Sequence, residues 1–194
     1  MEEELIHKCL KHDRNAQRVL YEQYFGKMMG VCIRYSKNQQ DAKEIFFSGF
    51  INIFTNIKEF VNENSKRKKS SPLVSLEEWI KKMIIKSAIK LLHQNKKEYF
   101  VSSTVNVRDA ESLSPGISEN ILDEQLMSKI NLHLILKAIH QLSPSYRTVY
   151  NMHEVDNYSH KEISVLLDIS EPTSKDNLLK AKYNIHKNLV RMVR

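Results

Sequence analysis

Glycine and proline are scarce, four of each in 194 residues. That scarcity excludes a collagen-like chain and argues against a large turn-rich β fold. Cysteine is nearly absent: Cys9 and Cys32 form no CxxC pair and fall inside helical apolar patterns. They read as buried thiols of a reducing compartment, not as a disulfide framework. No run of 18 apolar residues occurs, so neither a transmembrane helix nor membrane insertion is expected. The opening Met1-Glu2-Glu3-Glu4 has no apolar segment behind it, which argues against a secretory signal. Catalytic signatures are missing too. There is no Walker loop, GxGxxG, GxSxG or HExxH, and the eight histidines show no zinc-ligand spacing. No enzyme activity, cofactor or metal is therefore expected. What is present is 41% hydrophobic residues, enough for a real core. The default is a cytoplasmic all-helical protein.

Charge is unevenly spread along the chain. The formal net charge is +7. Residues 63–109 carry 11 basic and five acidic groups, residues 110–131 one and four, and residues 175–194 six and one. Two cationic zones flank an acidic stretch, a pattern that suggests a polyanion partner. A solvated lysine-rich surface is the competing reading of charge alone.

Apolar periodicity places the helices. Ala16, Val19, Leu20, Tyr24, Met28, Val31, Cys32 and Tyr35 share a helical face, with Asp13 placed to cap it. Ala42, Ile45, Phe46, Phe50, Ile53, Phe54 and Ile57 form a second face, for which Asp41 is the expected cap. Residues 62–72 are polar and cationic without periodicity, and read as a mobile loop. A third helix is expected from about Ser75, with Trp79 on its apolar side and therefore core rather than a base-stacking platform. Residues 98–126, rich in Ser and acids and containing Pro115-Gly116, are the natural linker. The expected architecture is all-α, with two small helical domains, 1–97 and 127–194, joined by a flexible linker.

The C-terminal domain carries the most specific local pattern. Residues 159–182 fit a helix-turn-helix. Ser159 and Glu162 make a capping box, and Ile163, Leu167 and Ile169 pack between the helices. Asp168 takes the left-handed turn position normally given to Gly, and Ser170 caps the second helix with Pro172 in its first turn. That helix would present Thr173, Ser174, Lys175, Asp176 and Asn177 at the end that enters a major groove, with Lys180 and Lys182 farther along toward phosphates. An ordinary helical corner is the bland alternative. Asp176 counts against DNA contact unless it accepts from a cytosine amino group.

Taken together, the chain resembles a bacterial RNA polymerase sigma factor of the extracytoplasmic-function type. Leu5-Ile6, Lys11-His12-Asp13 and Leu20-Tyr21-Glu22-Gln23-Tyr24 are similar to the family's first helices. Asp41-Ala42-Lys43-Glu44-Ile45 and Phe50-Ile51-Asn52-Ile53-Phe54 resemble its polymerase-binding helix, and Trp79-Ile80-Lys81-Lys82-Met83 its promoter-melting helix. Leu142-Ser143-Pro144-Ser145-Tyr146-Arg147 and Tyr158-Ser159-His160-Lys161-Glu162-Ile163 resemble its second domain.

The resemblance implies a protein that binds core RNA polymerase and promoter DNA, and it brings an anti-sigma factor or other regulator into view as a partner. Domain 1–97 would contact polymerase and the minus-ten element, and domain 127–194 the minus-thirty-five element. It implies polymerase contact through Asp41, Lys43, Glu44, Phe47 and Ser48. A cationic track of Lys82, Lys86, Lys90, Asn95, Lys96 and Lys97 would follow melted DNA, with Tyr99 and Phe100 as weaker stacking candidates. Reading of the upstream element would fall to Thr173, Ser174, Lys175, Asn177, Lys180 and Lys182.

The chain departs from the family at several positions. Phe47-Ser48 stands where a Gln-Glu pair is usual, Ile85-Lys86 where Arg-Asn is, and Lys90 where Asp is. Asn177, Lys180 and Lys182 replace arginines, which keeps much of the charge but loses bidentate reading of guanine. Two alternatives follow. One is a sigma-like module that binds a regulator or polymerase without reading promoters. The other is a dimeric helix-turn-helix repressor.

Overall fold

The computed structural model describes residues 2–66, 73–94 and 129–193. Every regular element among them is helical. The chain divides into two compact units, Met1–His93 and Gln94–Arg194. The expected linker at 98–126 lies outside the described residues, as does most of the cationic loop.

The first unit contains α1 (Glu2–Leu10), α2 (Arg14–Tyr35), α3 (Gln39–Ser65) and α4 (Leu76–Gln94). Asp13 caps α2, its carboxylate accepting from the Asn15 and Ala16 amides at 2.8 and 3.0 Å. The expected cap of α3 is corrected. Asn38, not Asp41, holds that position, and the Asp41 amide donates to Asn38 Oδ1 at 2.8 Å. Asp41 sits one turn inside, where its charge complements the helix dipole. The far end of α3 also differs from expectation, since Asn62–Ser65 is helical rather than loop. Asn64 explains why. Its amide donates to Val74 O and its carbonyl accepts from Val74 N, both at 3.1 Å, so the helix end is tied to the strand of chain entering α4.

The core of this unit is aliphatic and aromatic. Leu20, Ile53, Ile80 and Ile84 are fully buried, and Trp79 is buried against Phe60, ring centroids 5.5 Å apart. Cys9 and Cys32 are free and buried. Burial pushes the Cys32 thiol up to about 12, which makes it inert. Helices α3 and α4 approach closely at Gly49, where an added Cβ would run into Ile84 Cδ1. Asn52 and Ser87 bond across the same contact at 3.1 Å. Gly49→Val is therefore expected to overpack this seam. A destabilisation of about 1–3 kcal/mol should appear as a lowered urea midpoint with unchanged m-value.

The second unit contains α5 (Leu132–His140), α6 (Pro144–Tyr150), a π-helical turn (Asn151–Val155), α7 (His160–Leu167) and α8 (Glu171–Val193). Ala138, Leu142, Ala181 and Ile185 form one cluster of its core, with Ile139, Tyr146, Tyr150, Leu189 and Met192 packed around them. The buried Arg147 guanidinium donates to His140 O at 3.1 Å and so satisfies a carbonyl at the end of α5.

Candidate nucleic-acid interface

The turn between α7 and α8 is built as its residue types demand. Ser159 Oγ accepts from the Glu162 amide at 3.2 Å while the Glu162 carboxylate accepts from the Ser159 amide at 2.8 Å, a complete capping box. Asp168 adopts φ 55 and ψ 49, the left-handed region. A non-glycine residue there carries a conformational cost of about 1 kcal/mol. Asp168→Gly is thus expected to stabilise the second unit by up to that amount, read as a raised Tm. An unchanged or lowered Tm would show that the Asp168 side chain compensates. Ser170 Oγ accepts from the Thr173 amide at 3.1 Å and caps α8.

Helix α8 buries Ser174, Leu178, Ala181 and Ile185, spaced four, three and four apart, against α5, α6 and α7. Ile163 and Leu167 meet this stripe from α7, and Ile169 is half-buried beside them. The opposite face is left to solvent with Thr173, Lys175, Asp176, Lys182 and Lys187 exposed, and Asn177 and Lys180 lie half-buried at its edge. Lys175 pairs with Glu171 at 3.0 Å, an exposed one-turn pair of little strength. Ser174, expected at the DNA surface, is a correction. It is fully buried, and its hydroxyl meets His160 Nδ1 at 2.9 Å. Thr173 Oγ1 lies 2.8 Å from Ser170 Oγ, turned toward the cap. Lys182 reaches Glu154 of the π turn at 2.9 Å, so part of its charge is already engaged. The lysine and a weaker bond from His153 hold the Glu154 carboxyl below its ordinary range.

In the first unit, Lys82, Lys86 and Lys90 are all exposed and spaced by four on α4, a cationic ridge along one side of the helix. Asn95, Lys96 and Lys97, which would continue it, lie outside the described residues, as do Tyr99 and Phe100. On α3, Lys43, Glu44 and Phe47 are exposed while Asp41 and Ser48 are half-buried. The sequence reading missed Ile51. It is 66% exposed beside Phe47 at 56%, one turn farther along the same face. Phe47 rests on Phe46, ring centroids 6.2 Å apart, and Phe46 in turn packs on Tyr21, Phe25 and Phe50. The aromatic interior thus continues outward to an uncovered apolar edge.

Among the described residues no group of three or more His, Cys, Asp and Glu side chains is placed to hold a metal ion. None of the described helices is long and apolar enough to cross a membrane.

Comparison with known proteins gives this arrangement its setting. The family described as sigma-70, region 4 matches residues 132–185, the whole of α5 through most of α8. The extracytoplasmic-function RNA polymerase sigma factor SigW of Bacillus subtilis strain 168 is 24% identical over 95% of this chain and 94% of its own. The chain is thus similar along nearly its whole length to an extracytoplasmic-function sigma factor. The extracytoplasmic-function RNA polymerase sigma-E factor of Haemophilus influenzae is 20% identical over 95% of this chain and 93% of its own length. The fold is shared with the sigma factor RpoE of Bartonella quintana, solved in complex with the anti-sigma factor NepR, at TM-score 0.50 and 12% identity over 91% of this chain and 98% of that chain. These likenesses support a role in transcription initiation, and the residues that match region 4 hold the helix-turn-helix just described.

Proposed function

We propose that the two units divide the work of initiation between them, in the cytoplasm and by binding alone, with no bond chemistry of their own. The second unit reads the upstream promoter element with the exposed face of α8. Thr173 and Asn177 meet base edges and nearby backbone, and Lys175, Lys180 and Lys182 meet phosphates. The first unit docks on core RNA polymerase through the outward face of α3 and follows the melted minus-ten strand along the α4 ridge and its continuation. The observation that carries this reading is the capped helix-turn-helix whose second helix buries one stripe and leaves a cationic face open.

Phe47 and Ile51 support an apolar polymerase contact in place of the polar pair usual in the family. Both relatives named above carry RNA polymerase in their names, which supports the same partner here. The RpoE structure with its anti-sigma factor supports control of this chain by a partner of that kind.

The test is in vitro transcription with core polymerase and a library of genomic fragments. Promoter-dependent transcripts with defined start sites are expected only when this chain is added. A stable polymerase complex without transcripts or a footprint would point instead to a sigma-like interaction module. A palindromic footprint without polymerase would point to a repressor.

A further inference from the structure

The joint between the π turn, α7 and α8 holds a cluster that promoter reading does not account for. The His153 and His160 rings stack with centroids 4.3 Å apart and planes 23° from parallel. His153 Nδ1 lies 3.0 Å from Glu154 Oε1, and the same carboxylate oxygen receives Lys182 from α8 at 2.9 Å. His160 Nδ1 meets the buried Ser174 hydroxyl of α8 at 2.9 Å. Four side chains therefore tie α8 to the elements beneath it at two points eight residues apart, and the stacked rings join those points. Other charges act on His160 as well: Lys175 of α8 opposes its protonation, while Glu171 of α8 and Glu154 of the π turn favour it more weakly. The Tyr150 hydroxyl of α6 feels both Glu154 and Lys182.

A first proton is accommodated at this joint. The His153 ring lies against the Glu154 carboxylate, so a positive charge on that ring has its partner in place. A second is not, because two imidazolium rings at stacking distance repel each other, and the pull of Glu171 and Glu154 on His160 is outweighed. Burial, His153 and Lys175 all hold His160 below its ordinary range. Its neutral form is thus the one the folded joint favours. The unfolded chain binds this proton more readily, so the contribution of the stack is whole above pH 6.5 and declines as pH falls below it. The His160–Ser174 bond itself survives either state, since a serine hydroxyl both donates and accepts. What fails on double protonation is the stack, and movement of His160 then carries to the buried Ser174 one turn into α8.

We propose that His153 and His160 form a positioning latch for the recognition helix, which a second proton on the pair releases. The latch itself stands on the joint's geometry, and only its consequence for transcription rests on the function proposed above. Mild acidification should then weaken promoter engagement by the second unit. This is opposite in sign to the general effect of adding cations near DNA, which strengthens phosphate binding.

Nuclear magnetic resonance on the full chain between pH 7.5 and 5.0 tests the latch without DNA. The amides of residues 173–182 are expected to shift together with the His160 ring resonance. In His153→Phe, which keeps a ring in the stack but cannot take a proton, the α8 shifts should vanish. In His160→Gln, which keeps a polar atom for Ser174, they should vanish as well, and this variant guards against poor folding of the first. With holoenzyme on fragments it selects at pH 7.5, wild-type transcript yield should fall clearly more at pH 5.5 than that of either variant. Amides of α8 that stay still while His160 titrates, or variants as acid-sensitive as wild type, would overturn the latch. A holoenzyme that selects no fragment at all would sink the promoter reading instead, while the resonance titration still decides the latch.

Discussion

Replacing Phe47 and Ile51 together by glutamate is expected to abolish assembly with core polymerase while leaving the fold of the first unit intact. The two halves of that result have separate causes. Both side chains are more than half exposed, so neither substitution buries a charge or opens a cavity. The aromatic packing beneath, Phe46 on Tyr21, Phe25 and Phe50, is left in place, and thermal unfolding should change little. Binding is different. A large apolar residue at the centre of an interface contributes about 2 kcal/mol or more when truncated. Two such losses amount to roughly a thousandfold in affinity, and carboxylates forced into the contact add desolvation. The measurement is co-elution and titration with core polymerase, with circular dichroism as the fold control. Glu44→Ala, on the same helix, is expected to cost less than about tenfold. If the double glutamate variant binds polymerase as wild type does, the contact lies elsewhere on the first unit.

The helix-turn-helix was readable from the sequence because its parts obey local rules. Ser159 with Glu162, Asp168 at the turn and Ser170 before Pro172 each answer a backbone requirement within a few residues, and each does so in the structure. Where longer-range packing decides, the reading failed. Ser174 looked like a DNA-facing hydroxyl because it lies at the start of α8 among polar neighbours. The stripe of Leu178, Ala181 and Ile185 extended back by one turn falls on Ser174, and that arithmetic was available. Asn38 took the cap from Asp41 because both are good cap residues three apart, and only the true start of the helix separates them. Ile51 stood out too little beside the buried Ile53 and half-buried Phe54, although its spacing of four from Phe47 puts the two on one face. The π turn had no sequence signature at all. Its Asp156 amide reaches back to Asn151 O at 2.9 Å, and Glu154 within the same turn meets Lys182 of α8.

Lys175→Glu combined with Lys180→Glu is expected to eliminate upstream-element binding and to leave polymerase assembly untouched. The two residues differ in setting. Lys175 is exposed on the first turns of α8, and Lys180 is half-buried farther along the same helix. Each reversal changes the charge near the phosphates by two, and two reversals remove both attractions and add repulsion on a face that already holds Asp176. Lysine contacts phosphates as a point charge, so the loss should be nearly uniform across promoter sequences. The slope of log affinity against log salt should fall by about two for the loss of two phosphate contacts. Stability should change by less than about 0.5 kcal/mol, because the Lys175–Glu171 pair is exposed and weak. Footprinting of holoenzyme over the upstream element, against core binding measured in parallel, separates the two effects. Persistence of the upstream footprint would mean that the DNA-facing side of α8 is not the one bearing Lys175. A loss confined to particular promoter sequences would mean that these lysines read bases rather than backbone.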